Sequence, residues 1–131
     1  MHARFVGLRL DHLDPRVRQL NLIWLPTLYI ADKRQVVHYR SVNSLPPVDL
    51  LDVLDLGEAH ARLKEGKHEI ADRLLTEALQ RRPRGPLTDE LLYWLAIARY
   101  FAGHHDHAAR DAIWQRLKDE YPDSIWTHRI P

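Results

Sequence analysis

The chain has 131 residues, 45% apolar and 28% charged, with five glycines, eight prolines, four tryptophans and no cysteine. That length supports one compact domain or two small units sharing a core, and the apolar fraction excludes a disordered chain. The lack of cysteine excludes disulfides, thiolate metal sites and thiol chemistry, and a net charge of +1 gives no general attraction to polyanions.

In chain order, Phe5-Val6-Gly7-Leu8-Arg9-Leu10 reads as a first strand. Asp14 is placed to cap a short helix with Pro15 at its first position, running to about Leu20. Leu22 to Ala31 is rich in β-branched and aromatic residues, Asp32-Lys33-Arg34-Gln35 turns the chain, and Val36 to Val42 returns as a second strand, so the pair predicts a hairpin. Pro26 marks a special backbone position at the start of its first strand. Ser44-Leu45-Pro46-Pro47 is a stop followed by a helix start, because proline is tolerated in a first helical turn.

From there the pattern is helical. Leu50, Leu51, Leu54, Ala59 and Leu63 lead to Gly66; Ile70, Leu74 and Ala78 with Ala71, Leu75 and Leu79 form two adjacent apolar rows. Pro83, Gly85 and Pro86 break that helix, and Thr88 reads as the N-cap of a third carrying Leu91, Leu92, Leu95, Ala96 and Ala98. Gly103 closes it, and a last helix carries Ala108 to Leu117 and stops near Tyr121-Pro122. Gly66-Lys67-His68-Glu69-Ile70-Ala71 aligns with Gly103-His104-His105-Asp106-His107-Ala108, and Ala59 with Ala96 at the same spacing. Each repeat is therefore a helix, a Gly-containing turn and a second helix.

This pattern resembles the tetratricopeptide repeat, whose turn glycine, following alanines and terminal proline are matched by Gly66, Ala71, Ala78 and Pro83. In the second copy Gln115 replaces the alanine and Pro122 falls late. Two copies are fewer than a free-standing array needs, so the N-terminal segment is expected to cover their exposed end. That segment in turn resembles the C-terminal half of a thioredoxin domain. The order strand, helix, strand with Leu25-Pro26-Thr27-Leu28, strand, then helix opening at Leu45-Pro46-Pro47 carries the likeness, as does the Tyr121-Pro122-Asp123-Ser124 segment at the end of the longer arrangement. The resemblance implies that Pro26 stands where the family has a cis proline bordering a substrate groove, with Leu25 in place of the usual Thr or Val. It also implies an open sheet, because the family's Cys-x-x-Cys and the elements around it have no counterpart in these residues. Open strand edges invite pairing with another chain.

The expected fold class is α+β: a partial thioredoxin-like strand-helix-hairpin segment at 1–46, followed by a tetratricopeptide-like antiparallel helical array at 47–131. The expected function is non-catalytic protein–protein interaction or self-association, with no enzyme activity and no cofactor; the alternative is a fragment of a thiol–disulfide oxidoreductase whose cysteine-bearing portion is absent from this chain. The candidate contact residues are Trp24, Leu25, Pro26 and Thr27 beside the proline, and Tyr93, Arg99 and Tyr100 on the third helix, where tetratricopeptide-like folds present a concave surface. The expected partners are a protein or peptide, including a second copy through an open sheet edge. Neither nucleic acid nor membrane is expected, because the basic cluster Arg81-Arg82-Pro83-Arg84 is short and no apolar run approaches the ~20 residues of a span. Without a leader-like start in Met1 to Val6, a cytoplasmic location is expected.

Other clusters read as structural. His104-His105-Asp106-His107 sits in an inter-helix turn, where polar residues belong, so no metal is expected there. Asp49, Asp52 and Asp55 at i, i+3, i+6 read as a solvated stripe of their helix. His60 and His128 read as packing or surface residues. Residues 1–40 hold seven bases and three acids, a net +4, and residues 41–80 hold four and eight, a net −4; this dipolar pattern suits oriented self-association.

Overall fold

A computed structural model describes residues 4–42 and 44–131; the opening residues Met1–Ala3, read above for a leader, lie outside them. The chain is α+β. Its order is a 3₁₀ helix at Pro15–Leu20, strands β1 (Thr27–Ala31) and β2 (Val37–Val42), helices α1 (Pro47–Lys64), α2 (His68–Arg81), α3 (Thr88–Ala102) and α4 (His107–Glu120), and a closing 3₁₀ turn at Thr127–Arg129.

The punctuation residues set most of these boundaries. Asp14 caps the first 3₁₀ helix by accepting from the Arg16 N–H, and Pro15 follows it. Its bonds with Arg16 hold the Asp14 carboxyl down to about 2. Asp32 organises the hairpin turn: its carboxylate accepts from the N–H groups of Arg34 (2.8 Å) and Val36 (3.1 Å) and lies 3.1 Å from His38 Nε2. The His38 contact, then these backbone donors, lower it to about 2 as well. β1 and β2 pair antiparallel, Thr27 opposite Val42 and Ile30 opposite Tyr39, with a register shift between Ile30 and Ala31. Consecutive helices pack on one another, and their short connections make neighbours antiparallel.

Three expectations are corrected. Phe5–Leu10 forms no strand: it has no ladder partner among the described residues, Val6 is 96% exposed and Leu8 69%, and Phe5 packs against the core. A strand needs a neighbour for its backbone groups, and apolar alternation does not supply one. The first hairpin strand starts at Thr27 rather than Leu22, because the chain bends through Trp24–Pro26 and proline has no N–H to give a ladder. Thr88 is the first residue of α3 rather than its cap; its hydroxyl accepts from the Gly85 N–H at 2.7 Å, closing the turn before the helix.

The core has two parts. The larger lies among the four helices, with Leu56, Leu75, Leu91, Leu92 and Leu117 fully buried, and Ala59, Ala71, Ala78, Ala96 and Ala98 at the close helix contacts. The smaller, Ile30 with Val53 and Leu54, joins the hairpin to α1. Tyr39 and Leu87 pack against both. Gly57 makes this joint possible: a Cβ there would lie 2.3 Å from Ile30 Cδ1. The inter-helix turns differ in a way their alignment hides. Gly66 takes φ +77°, whereas Gly103 does not, and His104 and His105 carry the left-handed backbone instead.

Candidate functional site

The carboxylate stripe of α1 is not solvated. Asp49, Asp52 and Asp55 are all buried, Asp52 to 2% exposure, and each meets arginine. Arg81 Nη2 donates to Asp52 (2.7 Å) and Asp55 (2.9 Å), Arg82 donates to Asp49, and Arg4 donates to Asp55 (2.8 Å) and to Glu58 (2.7 Å). The Arg81-Arg82 pair therefore faces α1. Every one of these carboxylates is held by a guanidinium, so the cluster is a clamp joining α1, α2 and the N-terminal segment, and none is free for acid–base work.

The three candidates on α3 divide between two neighbours: Tyr93 and Tyr100, seven residues apart, face α4, where Arg110 lies over both the Trp114 and the Tyr100 rings, and Arg99 faces α2. Tyr93 belongs to an aromatic cluster, with ring centroids 5.4 Å from Trp94, 5.9 Å from Trp114 and 5.2 Å from Trp126. Arg99 is turned to α2, donating to Asp72 (2.9 and 3.2 Å) and to Thr76 (2.9 Å), and the Asp72 bond raises its affinity for its proton. Tyr100 packs edge-on to His105 and His107 at 5.1 Å each, with the Arg110 guanidinium 5.2 Å from its ring. All three are half-buried and engaged by other parts of the chain.

The turn at 104–107 serves the fold in the same way. Asp106 caps α4 by accepting from the Ala109 N–H at 3.0 Å, and His68 stacks on Phe101 at 5.0 Å. No group of three His, Asp or Glu side chains suited to a metal ion occurs among the described residues. His60 is a packing residue, 4.3 Å from Trp94 and 5.6 Å from Tyr39; His128 is exposed in the closing turn. A cavity of about 410 Å³ lies between α4 and the C-terminal residues, lined by Arg110, Trp114, Lys118 and Ile130 among others. It is remote from the hairpin, and its walls are chiefly exposed side chains.

Trp24 to Thr27 stand together and differ from all of these. Trp24 is 64% exposed and Leu25 52%, Pro26 is exposed, and the neighbouring Ile23 is 72% exposed. The Leu25–Pro26 peptide bond is cis. Thr27 Oγ1 donates to the Trp24 carbonyl at 2.5 Å, and the Tyr29 hydroxyl donates to the Leu20 carbonyl at 2.7 Å, so the run is tied at both ends while its side chains face water. Scattered exposed leucines are ordinary; four consecutive apolar residues are not. The run leads directly into β1, which pairs only with β2 among the described residues. Strand β1 thus offers an unpaired backbone edge beside an apolar surface. Ile23 was not among the sequence candidates, although it continues the same uninterrupted apolar run.

No helix among the described residues is long and apolar enough to cross a membrane. No family model, curated protein or solved structure matches the chain.

Proposed function

We propose that this chain is a non-catalytic protein-binding module whose contact surface is the Ile23–Pro26 run together with the free edge of β1. The observation that carries the reading is that run: three large side chains left in water immediately before a strand with one unpaired edge among the described residues. Full burial of such side chains contributes about 1.5–3 kcal/mol each, so a partner covering them gains on the order of 5 kcal/mol before the costs of association. Main-chain pairing along β1 adds directionality, as in other cases of strand addition. The four helices act as a rigid support, held to the hairpin by Ile30 and by Tyr39, whose hydroxyl donates to Glu90.

On this reading the hairpin is a thioredoxin-like remnant and the helices are tetratricopeptide-like hairpins. The 37-residue recurrence and the buried alanines at 59, 71, 78 and 96 support that assignment. A chain without cysteine performs no thiol–disulfide exchange. The same surface also suits a second reading, in which the partner is a cysteine-bearing protein that completes the sheet, since the exposed Leu25-Pro26 step stands where that family has the proline bordering its groove.

Site-specific photo-crosslinking in the cell that makes the protein tests this. A photoreactive residue at position 24 is expected to give discrete protein adducts, and one at Gln115, exposed on α4, none of the same kind. Adducts to a cysteine-bearing redox protein favour the second reading. Absence of discrete adducts, or the same adducts from both positions, overturns the proposal.

A further inference from the structure

This inference rests on the reading above and names the occupant. We propose that the β1 edge pairs with a second copy of this chain, antiparallel, about a two-fold axis at Tyr29. The two free edges of the hairpin are not equivalent. β2 exposes Arg40, the kind of side chain that discourages strand addition, whereas Thr27–Ala31 carries no charge. Pairing this five-residue strand on itself sets Tyr29 opposite its own copy, Leu28 opposite Ile30 and Thr27 opposite Ala31. Every residue has a partner and no like charges face each other. The contact is isologous and closed, giving a four-stranded sheet with the Arg40-bearing strands outermost.

The same two-fold operation carries the apolar run of each copy beyond the strand end and over the turn that follows β1 in the other. That turn exposes Lys33 and Arg34, and the Arg34 side chain, 76% exposed, is held only at 3.9 Å by Asp32. A guanidinium laid on the exposed Trp24 indole is a cation–π contact. One symmetric contact therefore satisfies the strand edge, covers the run and matches a cation to an aromatic face, leaving α1–α4 undisturbed.

The natural chain has no cysteine, so introduced ones report register without background. Thr27→Cys and Ala31→Cys chains, purified separately, mixed and oxidised, are expected to give several times more crosslinked heterodimer than either gives homodimer, because only opposed positions reach disulfide geometry. By sedimentation, Trp24→Arg is expected to weaken the dimer at least about tenfold, and Trp24→Glu distinctly less, because a carboxylate there meets Lys33 and Arg34. A wild-type chain that stays monomeric at every concentration reached overturns the inference. So does crosslinking that favours positions in β2, or equal weakening by the two Trp24 substitutions. A monomer that still gives position-24 adducts to another protein in the cell removes this inference alone and leaves the binding module standing.

Discussion

Two titratable side chains at the junction of hairpin and helices, His60 half-buried and Glu90 buried, make opposite demands on pH. His60, packed against Trp94 and Tyr39, is held down to about 4 by burial and then by the charge of His38. Between about pH 6.5 and 4 the unfolded chain takes up a proton that the folded chain refuses, so stability falls as pH drops through that window, by at most about 3 kcal/mol. Glu90 is raised by burial, although its carboxylate accepts from the Tyr39 hydroxyl at 2.9 Å. Its contribution runs the other way: present below the ordinary carboxylate range and lost as pH rises through the folded value. Urea unfolding at neutral and acid pH separates them. His60→Phe keeps the ring contacts and flattens the acid slope, whereas Glu90→Gln keeps an acceptor for Tyr39 and raises stability at neutral pH. Neither behaviour was legible in the sequence, because burial at 60 and 90 depends on which face of each helix meets β2.

At the scale of elements, the helix boundaries were legible because Pro47, Gly66, Pro83 and Gly103 punctuate strong apolar periodicity. The aspartate stripe was misread because i, i+3, i+6 acids look the same facing water or facing arginines. Their partners Arg81 and Arg82 lie 26 to 33 residues away in sequence. Truncating Arg81 leaves Asp52 in a buried site with only Arg82, at 3.7 Å, and Asp55 with only Arg4. Arg81→Ala is expected to destabilise by about 2 kcal/mol in urea unfolding, less than the roughly 3–5 of a fully buried pair because Arg81 is itself 40% exposed. Gly57 carries no pattern in the sequence, yet it seats Ile30. Gly57→Ala forces a methyl into that side chain and is expected to cost about 1–3 kcal/mol. Hydrogen exchange will locate the loss: faster in β1 and β2, with the cores of α2 and α3 unchanged. Equal acceleration throughout would mean that the hairpin and helices unfold as one unit.

For the molecule as a whole, part of the candidate surface could be read ahead of the structure and part could not. Trp24 to Thr27 stand out in sequence around a proline, and they remain together, with Trp24, Leu25 and Pro26 exposed and Thr27 half-buried. Tyr93 and Tyr100 share the side of α3 that meets α4, but Arg99 is turned to the acid Asp72 on α2, and all three are half-buried against other parts of the chain. No local pattern announces such long-range partners. The absent strand at Phe5–Leu10 follows the same logic, since apolar alternation signals β structure only where a neighbouring strand exists. What sets this chain apart is an apolar run that its own fold leaves in water beside the unpaired edge of β1. The free energy of unfolding of dilute chain carrying Trp24→Asp and Leu25→Asp together tests that most directly. The account predicts a value within about 0.5 kcal/mol of the unsubstituted chain, as for side chains with no role in the fold. A loss of about 2 kcal/mol or more would show that these side chains are packed within the chain's own fold, and would contradict the account.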